Sequence, residues 1–175
     1  MWQEDVYRLL DVAHELDVPV AACTQPSGGG YNRTRFADPM HIDDAVSDFP
    51  DVKFIILHAG APLMEFFEKA LLAACRNHNV YLQFDFWIHG FFGVPNFIPS
   101  FTTDAEAVGR LLARARDVIG GQNMLYGTDT HSGPSVHGDT LFRRDSGFNL
   151  GGAITWLRDL PNSARQYGES FTKEE

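Results

Sequence analysis

The stretch Val52–Pro62, VKFIILHAGAP, decides how the chain folds. Val52, Phe54, Ile55, Ile56 and Leu57 form an apolar run that only Lys53 interrupts. A strand with one wet face alternates polar and apolar residues. This one does not, so it is predicted to be buried on both faces, as in a parallel sheet covered by helices. The run ends on His58, and Ala59-Gly60-Ala61-Pro62 then turns the chain. From Leu63 onward, Leu63, Phe66, Phe67, Ala70, Leu71 and Ala74 stripe one side of a helix. His58 thus falls at the carboxyl end of a parallel strand, where α/β sheets carry their chemistry. A histidine there can equally cap the strand end by bonding a neighbouring backbone group.

Upstream, Val6, Leu9, Leu10, Ala13 and Leu16 stripe an opening helix that stops at Asp17-Val18-Pro19. Pro19–Thr24 is a short β-capable run ending at Cys23 and Thr24, and Gln25–Gly30 reads as a loop. Its three glycines are not a phosphate loop, because neither GK[ST] nor GxGxxG follows. Residues 39–49 read as a short helix with Pro39 in its first turn and Ile42, Ala45, Val46 and Phe49 on its apolar side.

Downstream, Val80–Trp87 (VYLQFDFW) is predicted as a third strand. Val80, Leu82, Phe84 and Phe86 share one face, and Tyr81, Gln83, Asp85 and Trp87 share the other. A glutamine and an aspartate inside a sheet need partners, and a barrel lumen near its mouth is one place that supplies them. The aromatic stretch Ile88–Phe101, with His89 inside it, reads either as a local core or as a substrate pocket or partner surface. Thr103–Glu106 is a capping box that opens a helix striped by Val108, Leu111, Leu112, Ala115, Val118 and Ile119. Asn123–Asp129 is a fourth strand, again ending on a metal-capable side chain. Residues 130–150 form a long polar loop holding His131, His137, Arg143 and Arg144. Ile154, Trp156, Leu157 and Leu160 give a last helix.

Composition sets the outer limits. The 175 residues are 44% hydrophobic and 21% charged, enough for one domain with a real core. A net charge of −9 argues against nucleic acid or an anionic membrane surface as partner. The two cysteines, Cys23 and Cys75, lack metal-type spacing and fit a reducing compartment. No leader-like or membrane-spanning run is present, which makes the cytoplasm the expected location.

Strand, rim residue, turn and helix recur four times, with Cys23, His58, the Asp85–Trp87 end and Asp129 at the rims. Alternating β and α segments of this kind call for a parallel sheet. Strand-end histidine and aspartate, here His58 and Asp129, point to a divalent metal with an activated water.

Four stretches carry a family resemblance: EDVYRLLDVAHELDVPV, ADPMHIDDAVSDFPDVKFIILHAGAP, NVYLQFDFW and NMLYGTDT. In this order they resemble the amidohydrolase-related branch of the metal-dependent hydrolases, (β/α)8 TIM barrels that include hydrolases and decarboxylases of small organic acids. The resemblance covers roughly residues 4–130, and Asn162-Ser-Ala-Arg165 is similar to the family's closing segment. It implies a partial barrel of about four βα units with parallel strands, corresponding to strands five to eight. Residues 1–168 form this half and residues 169–175 a frayed tail.

The resemblance makes His58 the metal-side histidine of strand six. It makes Asp129 the strand-eight aspartate that binds metal and takes a proton from the attacking water. Cys23 falls where the family has a ligating histidine on strand five, so it is a candidate ligand, with a neutral buried thiol as the alternative. The implied metal is zinc, or else manganese, held weakly in the isolated chain. Trp87, His89, His131 and Arg143 are the candidate substrate contacts. The family's His-x-His pair has no counterpart here. Activity then implies a homodimer or a complementary N-terminal half, and the other reading is an inactive half-barrel serving as a binding module.

Overall fold

Four short strands lie side by side in chain order, all parallel: β1 (Val20–Cys23), β2 (Phe54–Leu57), β3 (Val80–Phe84) and β4 (Met124–Tyr126). The computed structural model describes residues 4–25, 33–61, 63–89, 105–127 and 150–172. Helix α1 (Glu4–Glu15) leads into β1, and α2 (Asp43–Asp48) precedes β2. Helix α3 (Met64–Arg76) joins β2 to β3, and the four-residue α4 (Phe86–His89) follows β3. Helix α5 (Ala105–Ile119) returns to β4, and α6 (Leu150–Ser163) comes last. The parallel α/β order expected from VKFIILHAGAP is present.

Residues paired across a parallel sheet point to the same side, and the register therefore sorts its two faces. Phe54 pairs with Val80 and Ile56 with Leu82, and Leu82 pairs with Met124. Phe54, Ile56, Val80, Leu82 and Phe84 are all buried, in one cluster with Leu10 and Ala13 of α1, Val46 of α2, Phe67 and Ala70 of α3, Val108 and Leu112 of α5, and Leu160 of α6. Phe67 stands edge-on to Phe84 (centroids 6.4 Å apart) and to Trp87 (5.7 Å). The opposite face carries Ile55, Leu57, Tyr81, Gln83 and Leu125, all partly buried, and the exposed Ala21 and Cys23.

Phe54, Ile56, Leu82 and Phe84 thus face the helices, and Leu125 is on the open side. Helix α1 buries Leu10 and Ala13, but Leu9 and Leu16 are 68% and 66% exposed. Leu9 sits about 100° around the helix from Leu10, and Leu16 stands seven residues beyond Leu9 on that outer stripe. The third strand stops at Phe84 rather than Trp87, because the Ile88 N–H bonds the Asp85 carbonyl (3.0 Å) and turns the chain into α4. The Glu169 N–H bonds the Ala164 carbonyl (3.0 Å), and Phe171 packs on the core under the Arg116 guanidinium (4.6 Å).

The amino ends of the strands are tied by Asn79, whose amide donates to the carbonyls of Val52 (2.9 Å) and Phe49 (3.1 Å). The helix-side core rests on Phe67, which is fully buried between β3 and α4. Phe67→Ala is expected to cost about 3–5 kcal/mol in urea unfolding. A loss under about 1 kcal/mol would mean that the sheet does not pack on α3 in this way.

Candidate active site

The carboxyl ends of the first two strands are joined through one residue beside Cys23. The Thr24 hydroxyl donates to the Leu57 carbonyl (2.8 Å) and accepts from the Gly60 N–H (3.0 Å). It thereby clamps the end of β1 to both sides of the turn that carries His58. In that turn His58, Ala59 and Gly60 all have positive φ (66°, 44° and 77°). The first two are not glycines, so the turn stores strain of about 1–3 kcal/mol per residue, and such strain clusters at functional sites. Gly60 is required, because a Cβ there would lie 2.4 Å from the backbone of Phe66. The Ala61 N–H closes the turn on the His58 carbonyl (2.8 Å), and the Trp87 indole N–H reaches the Ala59 carbonyl (3.4 Å).

This turn drives the His58 side chain inward. His58 Nδ1 donates to Asp85 at the end of β3, 2.9 Å from Oδ1 and 3.0 Å from Oδ2. Asp85 is 0% exposed and His58 5%. Gln83 Nε2 donates to the same carboxylate (3.0 Å). The glutamine and aspartate of VYLQFDFW are thus partnered with each other and with His58, as a buried polar pair must be. Burial alone would lower the His58 pKa. Hydrogen bonds to Asp85 and then Cys23, together with the charges of both, outweigh it and raise the pKa to about 10. At neutral pH the ring is an imidazolium held by a carboxylate.

The structure brings Cys23 and His58 together, with Cys23 exposed and hydrogen-bonded to the ring. Trp87 is 1% exposed, packed against Phe67 with its indole N–H on the Ala59 carbonyl of the rim turn. His89 closes α4 in the backbone, and its side chain lies outside the described residues, as do Asp129, His131 and Arg143. Sequence reasoning missed Asp85 as a site residue. The signal was available: a carboxylate on the buried end of β3 needs a cation, and His58 ends the neighbouring strand.

His58 and the exposed Cys23 both lie at the rim, and a ring N–H held by a buried carboxylate, as Asp85 holds Nδ1, is also how a metal-ligating histidine is oriented. Among the described residues no three His, Cys, Asp or Glu side chains are disposed to hold an ion.

A sheet of four parallel strands with rim residues at their carboxyl ends defines a partial (β/α)8 barrel. An uncharacterised TIM-barrel protein of Bordetella bronchiseptica has the same fold, with a TM-score of 0.60 and 20% identity. The match covers 94% of this chain and 47% of that one, so the chain spans about half the length of the neighbour. The model of the family described as amidohydrolase matches residues 2–162, and the chain belongs to that family. The family supports hydrolase- or decarboxylase-type chemistry in general and is generally metal-dependent. Comparison with curated proteins gives no match.

The His58 pKa predicts how stability depends on pH. It lies above the unfolded value of about 6.5, so the bound proton's contribution is complete below about pH 6.5 and is lost as pH rises through about 10. The thermal midpoint should therefore fall across that interval. Asp85→Asn should flatten the fall and cost about 3–5 kcal/mol. A midpoint that is flat from about pH 6.5 to 10 in the native chain would show His58 to be neutral.

Proposed function

We propose that the chain supplies strands five to eight of a hydrolase or decarboxylase acting on a small organic acid, amide or ester. In this reading His58 is the proton donor. The observation that carries it is the buried His58–Asp85 pair at the ends of adjacent parallel strands, the place where barrels of this type put their chemistry. Asp85 orients the ring and keeps it protonated. The ring then offers its proton to a departing nitrogen or oxygen, or to the carbanion left by loss of carbon dioxide.

Asp129 as general base, on the strength of the family resemblance, and His89, His131 and Arg143 as substrate contacts remain part of this proposal. A cytoplasmic location belongs to it too, consistent with there being no helix among the described residues long and apolar enough to cross a membrane. Metal dependence enters through Asp129 and the other half of a barrel, with zinc before manganese. Elemental analysis after dialysis should find well under one ion per chain. One tightly held ion per chain would overturn the assignment of His58 as the proton donor.

We also propose that a second copy, or a complementary N-terminal half, covers the open face. β1 and β4 end the described sheet, and an edge strand offers backbone groups to another chain. Two copies related by a two-fold axis along the barrel axis would supply eight parallel strands. Light scattering coupled to size exclusion should show a dimer, and a monomer at micromolar concentration would overturn self-closure.

The chemical role is tested with a panel of small esters, amides and β-keto acids. His58→Gln should lower kcat by about 10²–10⁴-fold, whereas Asp51→Asn, on the exposed loop before β2, should not. An unchanged rate in His58→Gln would remove His58 from the chemistry.

A further inference from the structure

The register that pairs Leu82 with Met124 and Gln83 with Leu125 puts Met124 and Tyr126 on the helix side of β4 and Leu125 on the open side. All three nevertheless line one cavity of about 490 Å³, together with Leu112 of α5 and Leu157 of α6. Side chains alternate along a strand, so a space touched by three in succession runs along the strand's edge rather than over one face. The other edge of β4 is taken by β3. The cavity therefore lies where a further strand and its helix would continue the sheet.

At the opposite end of the sheet, α1 offers a surface of matching character. Its apolar residues span about 160° of the helix, from Val12 through Leu9 and Ala13 to Leu10, a wider arc than its own sheet covers. Leu10 and Ala13 are buried, whereas Leu9, Val12 and Leu16 are exposed. The charges of the two surfaces are opposite. On α1, Arg8 is taken up by Glu4 (2.7 Å), which leaves Asp5, Asp11 and Glu15 exposed beside the outer stripe. The charged residues among the described lining of the cavity are both arginines. Arg116 is bonded to Asp117 (2.6 Å), and Arg158 is exposed on α6.

We propose that the cavity beside β4 receives α1 of a second copy, with Leu9, Val12 and Leu16 in the apolar space and the acidic flank toward Arg158. Helix α1 ends at Glu15 and β1 begins at Val20, so the same approach brings β1 alongside the free edge of β4. Under a two-fold axis the contact forms twice, and each time it joins two different surfaces, the stripe of one chain and the cavity of the other. This docking rests on the second copy proposed above and specifies which of its surfaces meet.

Sedimentation equilibrium of the full chain reads the dimer Kd. Leu9→Lys together with Leu16→Lys should raise Kd roughly thirtyfold or more, because two ammonium groups would enter an apolar space. Arg158→Glu should raise it less, and Leu72→Lys, exposed on α3, should leave it unchanged. An equimolar mixture of the double-lysine chain and the Arg158→Glu chain should form more dimer than either alone. In that mixed pair one contact is native, whereas a stripe-to-stripe contact would gain nothing from mixing. Amide exchange of the native chain needs no variant to fold. Residues 9–18 and 121–127 should both exchange more slowly once the concentration exceeds Kd. A native chain that stays monomeric would overturn the docking and the second copy together. A native dimer whose Kd ignores the two lysines, or whose α1 exchange ignores concentration, would overturn the docking and leave the second copy in place. Mixing that recovers no dimer would do the same.

Discussion

A charged pair sealed from water sits at the carboxyl ends of β2 and β3, and the rim of the sheet is arranged to keep it together. His58 and Asp85 are separated by 27 residues of sequence and by 2.9 Å in space. Removing two charges from water costs several kcal/mol for each ion unless geometry and further hydrogen bonds compensate. Here the carboxylate receives Nδ1 on both oxygens and the Gln83 amide on one of them. The backbone carries the other share of the cost. His58 and Ala59 adopt left-handed angles that the Thr24 clamp, the Ala61 N–H, the Trp87 indole and the buried Gly60 hold in place. Strain kept at a rim position with so many restraints has a use in fixing the direction of one side chain.

That direction has a chemical consequence. An imidazolium with one nitrogen committed to a buried carboxylate keeps its proton through the neutral range. A histidine without Asp85 would be neutral at this depth, because burial alone lowers its pKa. The same carboxylate reaches further along the rim. Burial first, and then the charge of Asp85, raises the pKa of the Tyr126 phenol on β4.

Much of the fold was legible in the sequence, and the misreadings have definite causes. VKFIILHAGAP gave the parallel strand and its exit turn because an unbroken apolar run has few other uses in a chain of this size. It could not show which face meets the helices. Phe54 and Ile56 alternate with Ile55 and Leu57, so a period of two carries no contrast there. In β3 the contrast exists, with Gln83 against Leu82, and it marks the open face correctly. The third strand was read as far as Trp87 because the aromatic alternation of VYLQFDFW continues past the point where Asp85 turns the chain, and two residues of helix swing the indole into the core. The rim pair was within reach of the sequence through the need of a buried carboxylate for a cation. The positive φ of His58 was not, since a histidine carries no mark of it.

In the proposed reading, the open side of the sheet and the two edge strands of the described sheet are covered by a second wall. The first wall already holds a proton on a defined atom, and nitrogen NMR of the His58 ring reads this directly. With labelled histidine at about pH 8, both His58 ring nitrogens should show the shifts of protonated imidazolium, whereas a free histidine is neutral there. In Asp85→Asn that signature should move to neutral imidazole. A native His58 that titrates near about 6.5, with one unprotonated nitrogen at pH 8, would contradict the buried ion pair and the chemistry built on it.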